Sequence, residues 1–147
     1  MIKIIFVCHG NICRSPAAEF IAKKMLKELK RDNDFKVYSR ALTYEEIGSD
    51  IYPPMKRELI KNDIPFERHY AEIISKEDYE EADYIFYMDE ENKWLINRLL
   101  KDYKNIARPV FVYTPSIREI EDPWYTGRFN KVVEQLKICI EDILKNI

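Results

Sequence analysis

The chain has 147 residues, of which 46% are hydrophobic and 34% charged, so its composition excludes a disordered polypeptide and predicts one domain spanning residues 1–147. Its 24 Lys and Arg against 26 Asp and Glu give a net charge of −2, which provides no basic excess for binding nucleic acid. The longest apolar run, Ile4 to Cys8, is too short for a membrane span or a signal peptide, and three cysteines are an odd number for a secreted disulfide framework. We therefore expect a cytoplasmic protein with no membrane partner.

A strand, a loop and a helix open the chain. Lys3–Val7 is a continuous apolar, β-branched run, which is typical of a strand buried on both faces of a parallel sheet. The loop begins at Cys8. Ser15 followed by Pro16 then predicts the start of a helix, with Ser15 as its N-cap, Glu19 in its first turns and its end near residue 31.

Strands and helices alternate along the rest of the chain. Asp89 is a candidate N-cap for one of these helices, and Ser75 opens a capping-box pattern for another. This alternation predicts an α/β fold with a central parallel sheet of four strands flanked by helices on both faces. Besides 3–7, the predicted strands are 35–39, 83–88 and 109–113. The further predicted helices are 53–62, a short helix that opens at Ser75, 90–100 and 129–147, and 40–52 is a loop.

The loop from Cys8 to Ser15 carries the residues of a phosphate site. A loop between a parallel strand and a helix delivers backbone N–H groups and the helix N-terminus to one point, which favours an anion. Gly10, one of only three glycines, and Asn11 tolerate the turns that such a loop needs. The converging dipoles would stabilise a thiolate at Cys8, and the planar fork of Arg14 matches two phosphate oxygens. This arrangement predicts phosphoryl transfer to sulfur.

The segment from Val7 to Pro16, Val-Cys-His-Gly-Asn-Ile-Cys-Arg-Ser-Pro, resembles the phosphate loop of the low-molecular-weight protein tyrosine phosphatases. Ile64-Pro65, residues 88–92 and residues 122–125 extend the resemblance across the chain. The resemblance implies hydrolysis of phosphotyrosine in proteins through a phosphocysteine intermediate on Cys8. It also implies a monomer that needs no metal or other cofactor and is inhibited by inorganic phosphate and similar oxyanions.

The same resemblance implies roles for further residues. Arg14 binds the phosphate, and Asp122, before Pro123, is the general acid and then the base. Trp124 and Tyr125 line the pocket for the aromatic ring. The remaining predicted site residues are the phosphate-loop members His9, Gly10, Asn11, Ile12, Cys13 and Ser15, and the supporting pair Ser39 and His69, which would join Asn11 and Ser15 in one network.

Several rival functions share parts of this pattern. A protein-arginine phosphatase of the same fold tends to have Thr where Ile12 stands and lacks the aromatic pair after Asp-Pro. A thioredoxin-coupled arsenate reductase needs further cysteines in a mid-chain segment, and there are none between Cys13 and Cys139. A phosphocarrier or phosphate-binding domain would need neither Arg14 nor Asp122. The pocket rim also departs from the family, because Glu45 stands where a pocket aromatic is common.

Cys139 lies on the apolar face of the last predicted helix and is expected to be a buried core thiol. Asp89 resembles a family residue and is expected to act structurally, as a helix cap or loop support.

Overall fold

Four strands and six helices alternate along the chain in the computed structural model, which describes all 147 residues. The strands are β1 (Ile2–Cys8), β2 (Phe35–Ala41), β3 (Tyr84–Tyr87) and β4 (Ala107–Pro109). The helices are α1 (Arg14–Glu28), α2 (Pro53–Lys61), α3 (Lys76–Glu81), α4 (Glu90–Leu100), α5 (Pro123–Thr126) and α6 (Phe129–Asn146). None of these helices has the length and apolarity required to cross a membrane.

The strands form one parallel sheet in the order β2-β1-β3-β4. β1 lies between two neighbours, with Cys8 paired to Ala41 on β2 and Phe6 paired to Phe86 on β3. Because all strands run in the same direction, their carboxyl ends meet at one edge of the sheet. Cys8 therefore lies at the middle of the edge where parallel α/β proteins bind ligands.

Side chains of β1 alternate between two hydrophobic cores. Ile4 and Phe6 pack with apolar residues of α1 and α6 on one face of the sheet. Ile5 and Val7 pack on the other face with Tyr79 of α3 and with Ile96 of α4. The predicted α/β fold with helices on both faces is confirmed, and it explains why this strand is continuously apolar.

The predicted fourth strand is wrong in position. The apolar run predicts a strand over 109–113, whereas β4 covers only Ala107–Pro109. Val112 donates its N–H back to the Pro109 carbonyl at 2.9 Å, which closes a turn rather than extending a strand. Val110 is nevertheless fully buried, so a turn satisfies the apolar pattern as well as a strand would.

The boundaries around the phosphate loop also differ from the prediction. α1 begins at Arg14, and Ser15 lies inside its first turn without capping it, so the predicted N-cap is wrong. Pro16 fits there because the first turn of a helix leaves its N–H groups unpaired. β2 continues to Ala41, two residues into the predicted 40–52 loop, because its pairing with β1 extends to Cys8.

Candidate active site

The segment from Cys8 to Ser15 turns tightly at the carboxyl end of β1. Cys8 ends the strand and is 3% exposed. Asn11 has a φ of 61°, in the left-handed region that asparagine tolerates better than most residues. No backbone N–H of residues 9–13 donates to a backbone carbonyl. A row of such N–H groups before a helix N-terminus is suited to bind an anion.

Asn11 is held in this conformation by its side chain and its carbonyl. Its amide nitrogen donates to Ser15 Oγ at 2.7 Å and to Ser39 Oγ at 3.0 Å. Its amide oxygen accepts the backbone N–H of Glu72 at 3.2 Å. Its backbone carbonyl lies 2.7 Å from His69 Nε2, and burial lowers the pKa of His69, so a neutral imidazole donates this bond. The structure thus brings together the four residues of the predicted supporting network.

The donor and the acceptor of each hydrogen bond in this network can be assigned, starting from the Asn11 amide. Both protons of the Asn11 amide are given to Ser15 and Ser39, so each hydroxyl keeps its own proton for another acceptor. Ser39 donates to the Glu19 carboxylate at 2.7 Å. Ser15 Oγ lies 3.0 Å from Cys8 Sγ, and because a thiolate only accepts, Ser15 donates to the sulfur in that state. The network therefore directs a proton donor at Cys8.

Glu19 is a member of this network that sequence reasoning missed. It is 7% exposed and its other oxygen accepts from Lys23 Nζ at 2.6 Å. Sequence analysis places Glu19 only in the first turns of a helix. The available signal is the spacing of Ser15, Glu19 and Lys23, which puts all three on one face of α1 at i, i+4 intervals.

Arg14 is buried beside the loop, with 2% of its surface exposed. Its Nη1 donates to Asp89 Oδ2 at 2.7 Å and to the carbonyl of Ile120 at 2.8 Å. Asp89 also accepts the N–H of Asn92 and so caps α4, as the sequence predicts. Burial by itself lowers the pKa of Arg14, but the neighbouring Cys8 and Asp89 outweigh it and raise this pKa. The guanidinium is therefore a fixed cation.

Asp122 approaches Arg14 from a distant part of the chain. Its Oδ2 lies 3.6 Å from Arg14 Nη2, and its Oδ1 accepts the N–H of Trp124 at 3.0 Å. Asp122 is thus the N-cap of the one-turn helix α5, which the sequence does not predict. The ring of Trp124 lies 4.7 Å from that of Tyr52, centroid to centroid, while Tyr125 is 84% exposed.

These groups surround one cavity of about 160 Å³. Most of the predicted site residues line it, whereas Asn11, Ser15, Ser39 and His69 lie behind the phosphate loop and support it. Glu46 joins the lining although no sequence signal distinguishes it. The lining residues are Cys8, His9, Gly10, Ile12, Cys13, Arg14, Glu45, Glu46, Asp122, Trp124 and Tyr125.

His9 connects two acidic residues at the mouth of this cavity. Its Nε2 lies 2.7 Å from Glu45 Oε2 and its Nδ1 lies 2.8 Å from Glu91 Oε1. Burial lowers the pKa of His9, but the hydrogen bonds that His9 donates to Glu91 and Glu45 outweigh this and raise its pKa above the ordinary value. Glu45, at the register where an aromatic is common in the resembled family, therefore forms part of an acidic rim.

The other two cysteines are buried thiols. Cys13 lines the cavity and is 5% exposed, and burial together with the neighbouring Cys8 raises its pKa. Cys139 is fully buried in the core on α6, as the sequence predicts, and burial raises its pKa to about 11. None of the three cysteines is paired in a disulfide.

Comparison with known proteins places this architecture in a family. The family model for low molecular weight phosphotyrosine protein phosphatases matches residues 3–147. The low molecular weight protein-tyrosine-phosphatase YfkJ of Bacillus subtilis is 31% identical over 150 residues, covering 100% of this chain and 96% of the relative. The low molecular weight phosphotyrosine protein phosphatase of Gallus gallus is 35% identical over 152 residues, covering 97% and 94%.

The fold agrees with this result. The crystal structure of YfkJ from Bacillus subtilis superposes with a TM-score of 0.95 at 29% identity, covering 100% of this chain and 94% of that one. Sequence and structure match over nearly the whole length, and the match includes the strand, loop and helix around Cys8. The chain therefore belongs to the low molecular weight protein-tyrosine phosphatase family, whose members are hydrolases.

Proposed function

We propose that this chain hydrolyses phosphotyrosine in proteins by two successive phosphoryl transfers through Cys8. The observation that carries the proposal is that a thiol, a buried guanidinium and a carboxyl group from residues 8, 14 and 122 line one cavity. Each step of such a reaction needs one of these groups: a nucleophile, a cation for the phosphate, and a proton donor.

In the first step the Cys8 thiolate attacks phosphorus and the bond to the tyrosine oxygen breaks. The free N–H groups of residues 9–13 and the Arg14 guanidinium bind the phosphate oxygens as their charge rises. Asp89 and the Ile120 carbonyl hold Nη1 of Arg14, which leaves Nη2 and Nε of the fork for the phosphate. Asp122 gives its proton to the departing phenolate.

In the second step water attacks the phosphocysteine and the sulfur–phosphorus bond breaks. Asp122, now a carboxylate, takes a proton from the water, so one group serves as acid and then as base. The sulfur leaves as a thiolate. Ser15, whose hydroxyl lies 3.0 Å from Sγ, stabilises this leaving group because Asn11 has oriented its proton toward the sulfur.

The walls of the cavity favour an aromatic substrate. Trp124 and Tyr125 line it, and the ring of Tyr52 packs against the ring of Trp124. Flat rings beside the phosphate site stack with a phenyl ring, which phosphoserine does not have. Ile12, also in the lining, is apolar where the arginine-phosphatase branch tends to have Thr.

A hydrolysis panel tests the proposal. We expect release of phosphate from phosphotyrosine peptides at a rate at least 100-fold above that from phosphoserine or phosphoarginine peptides of the same sequence. Cys8→Ser should abolish turnover, because a hydroxyl is not ionised at neutral pH. Faster hydrolysis of phosphoarginine would instead assign the chain to the arginine-phosphatase branch. Full activity of Cys8→Ser would refute the nucleophile.

The reducing compartment follows from the same chemistry. A phosphocysteine mechanism needs Cys8 as a free thiol, and all three cysteines are unpaired. We therefore propose that the enzyme works in the cytoplasm. We further propose that it acts as a monomer on phosphotyrosine proteins. Inorganic phosphate and its oxyanion analogues should compete with these substrates for the phosphate loop.

A further inference from the structure

His9, Glu45 and Glu91 form a contact group at the cavity mouth that the phosphatase chemistry does not use. We call it the rim clamp. Its members come from three elements: the phosphate loop, the segment after β2, and the first turn of α4. Each ring nitrogen of His9 faces a carboxylate oxygen within 2.8 Å. Ionised carboxylates only accept hydrogen bonds, so both nitrogens must donate, and only the imidazolium ion does so.

Each glutamate of the rim clamp keeps one carboxylate oxygen that can accept a hydrogen bond from a ligand. His9 bonds Oε2 of Glu45 and Oε1 of Glu91, and the remaining oxygen of each carboxylate has no hydrogen bond within the chain. No lysine or arginine pairs with either side chain, although they are 66% and 60% exposed. With His9 protonated, the clamp carries one net negative charge.

Nearby charged groups do not cancel this charge. Glu46 lines the same cavity, and its carboxylate accepts a hydrogen bond only from the neutral hydroxyl of Ser49. Arg14, the fixed cation of the site, pairs with Asp89 at 2.7 Å through Nη1, lies 3.6 Å from Asp122, and uses the rest of its fork for the phosphate in the proposed function. A bound phosphate brings further negative charge to the same place. The mouth is therefore anionic and lacks a free cation to receive an acidic neighbour of the phosphorylated residue.

We propose that the rim clamp selects phosphotyrosine flanked by basic residues and rejects phosphotyrosine flanked by acidic ones. This inference rests on the proposed function, because the flanking residues are those of a phosphotyrosine peptide bound at Cys8. A lysine or arginine beside the phosphotyrosine finds the two unpaired oxygens of Glu45 and Glu91. A glutamate there meets like charge with no compensating donor, which is the repulsive half of specificity.

Protonation of His9 tunes this preference. The charged groups around the ring are Glu45 after β2, Glu91 on α4, and Cys8, Arg14, Glu46 and Asp122 of the cavity. The two bonded carboxylates raise the pKa of His9 above its ordinary value. When pH rises through this raised pKa, His9 loses its proton and the net charge of the rim clamp changes from −1 to −2. Preference for a basic flank should then increase.

Two phosphotyrosine peptides that differ only in having lysine or glutamate on both sides of the phosphotyrosine provide the test. The measured quantity is the ratio of their kcat/KM values, lysine peptide over glutamate peptide, at low ionic strength. We expect a ratio of about fivefold to tenfold for the wild-type chain, as exposed charge pairs each contribute modestly. The ratio should decrease as salt screens the rim.

Variants locate the effect. The double variant Glu45→Gln, Glu91→Gln should bring the ratio to within about twofold of unity. Glu141→Gln is the matched control, because Glu141 is equally exposed but lies near the carboxyl end of α6, and it should keep the wild-type ratio. A wild-type ratio near one, with both peptides hydrolysed, would refute the rim clamp as a specificity determinant. Hydrolysis of neither peptide would refute the proposed function instead.

The variant His9→Gln tests whether titration of the His9 ring causes the pH dependence of the ratio. In the wild-type chain the ratio should rise between pH 6 and pH 8.5, because loss of the His9 proton adds a second net negative charge to the rim clamp. In His9→Gln, which has no titrating ring, the ratio should stay high and independent of pH over this range. A pH dependence that persists unchanged in His9→Gln would show that another group titrates and would overturn the role of His9.

Discussion

At the scale of single residues, Glu121 and Asp122 are neighbours with different cationic partners. Glu121 accepts from Arg128 Nε at 2.7 Å and from Lys131 Nζ at 2.8 Å, and these contacts lower its pKa to about 2. A carboxyl group so acidic has no proton to donate near neutral pH. Asp122 lines the cavity and Glu121 does not. These observations favour Asp122 over Glu121 as the proposed acid.

Asp122→Asn tests that assignment. Tyrosine leaves as a phenolate with a pKa of about 10, so it needs a proton, whereas an activated aryl phosphate with an acidic phenol needs little help. We expect the variant to form phosphocysteine from phosphotyrosine roughly 100-fold more slowly and from the activated ester with a much smaller loss. Burst kinetics measure this step apart from hydrolysis of the intermediate. Equal slowing of both esters would mean that Asp122 acts on binding or structure.

The position of Cys13 leads to an expectation of how the enzyme responds to peroxide. It lines the same cavity as Cys8, so we expect peroxide to oxidise the Cys8 thiolate to a sulfenic acid and Cys13 to displace water from it, forming a disulfide. Wild-type activity should return with a thiol reductant. Cys13→Ser should lose activity to peroxide with far less recovery. Cys139→Ser should recover like the wild type, because Cys139 is fully buried and does not line the cavity. Equal recovery in all three proteins would contradict the disulfide.

At the scale of elements, Glu121 connects the segment before α5 to the first turn of α6. Its ion pairs with Arg128 and Lys131 fix the end of the chain segment that carries Asp122. Glu121→Gln should lower the free energy of unfolding by about 1 kcal/mol at pH 7, as expected for a small ion-pair network. Because the folded pKa is depressed, the contribution is complete above the unfolded value of about 4.3 and decreases as pH falls toward 2.

Urea denaturation of wild type and Glu121→Gln at pH 7, 5 and 3.5 checks this expectation. The difference between the two proteins should be the same at the first two values and smaller at the third. A difference that grows on acidification would show that Glu121 is not an ion-paired carboxylate in the folded chain.

The junction between the phosphate loop and α1 shows how far local signals extend. Ser15-Pro16 correctly indicates that a helix starts here, yet Ser15 is not its cap. A serine before proline has a strong local preference for capping. In this fold the Ser15 hydroxyl lies within hydrogen-bond distance of Asn11 and Cys8, so it bonds these two side chains instead of capping the helix. Local preference located the helix, and tertiary contacts decided the use of the side chain.

At the scale of the whole molecule, the anion site couples ligand binding to folding. The phosphate loop is assembled only when β1, β2 and α1 are in place, so on the proposed function we expect phosphate to bind the folded chain and not the unfolded one. Phosphate at about 100 times its dissociation constant should raise the free energy of unfolding by about 2.7 kcal/mol. Cys8→Ser should retain the gain, because the N–H groups and Arg14 remain.

Arg14→Lys should lose most of that gain, because an ammonium group does not make the bidentate contact of a guanidinium. Arg57→Lys, at an exposed arginine of α2, is the control and should behave as wild type. Urea denaturation with and without phosphate, at constant ionic strength set with chloride, measures the difference. An undiminished gain in Arg14→Lys would remove Arg14 from the phosphate site.

The sequence by itself determined the fold class, three of the four strand positions and the loop that carries Cys8 and Arg14, because hydrophobic periodicity and turn residues act over short distances along the chain. Only the tertiary structure decided what surrounds that loop. Arg14 meets Asp89 across 75 positions, and His9 meets Glu91 across 82. Such contacts depend on which strands pair and which carboxyl ends share an edge, so no local pattern encodes them. The short β4 also escaped the local pattern, since Val110 is fully buried just after the strand ends and its burial therefore did not require a longer strand.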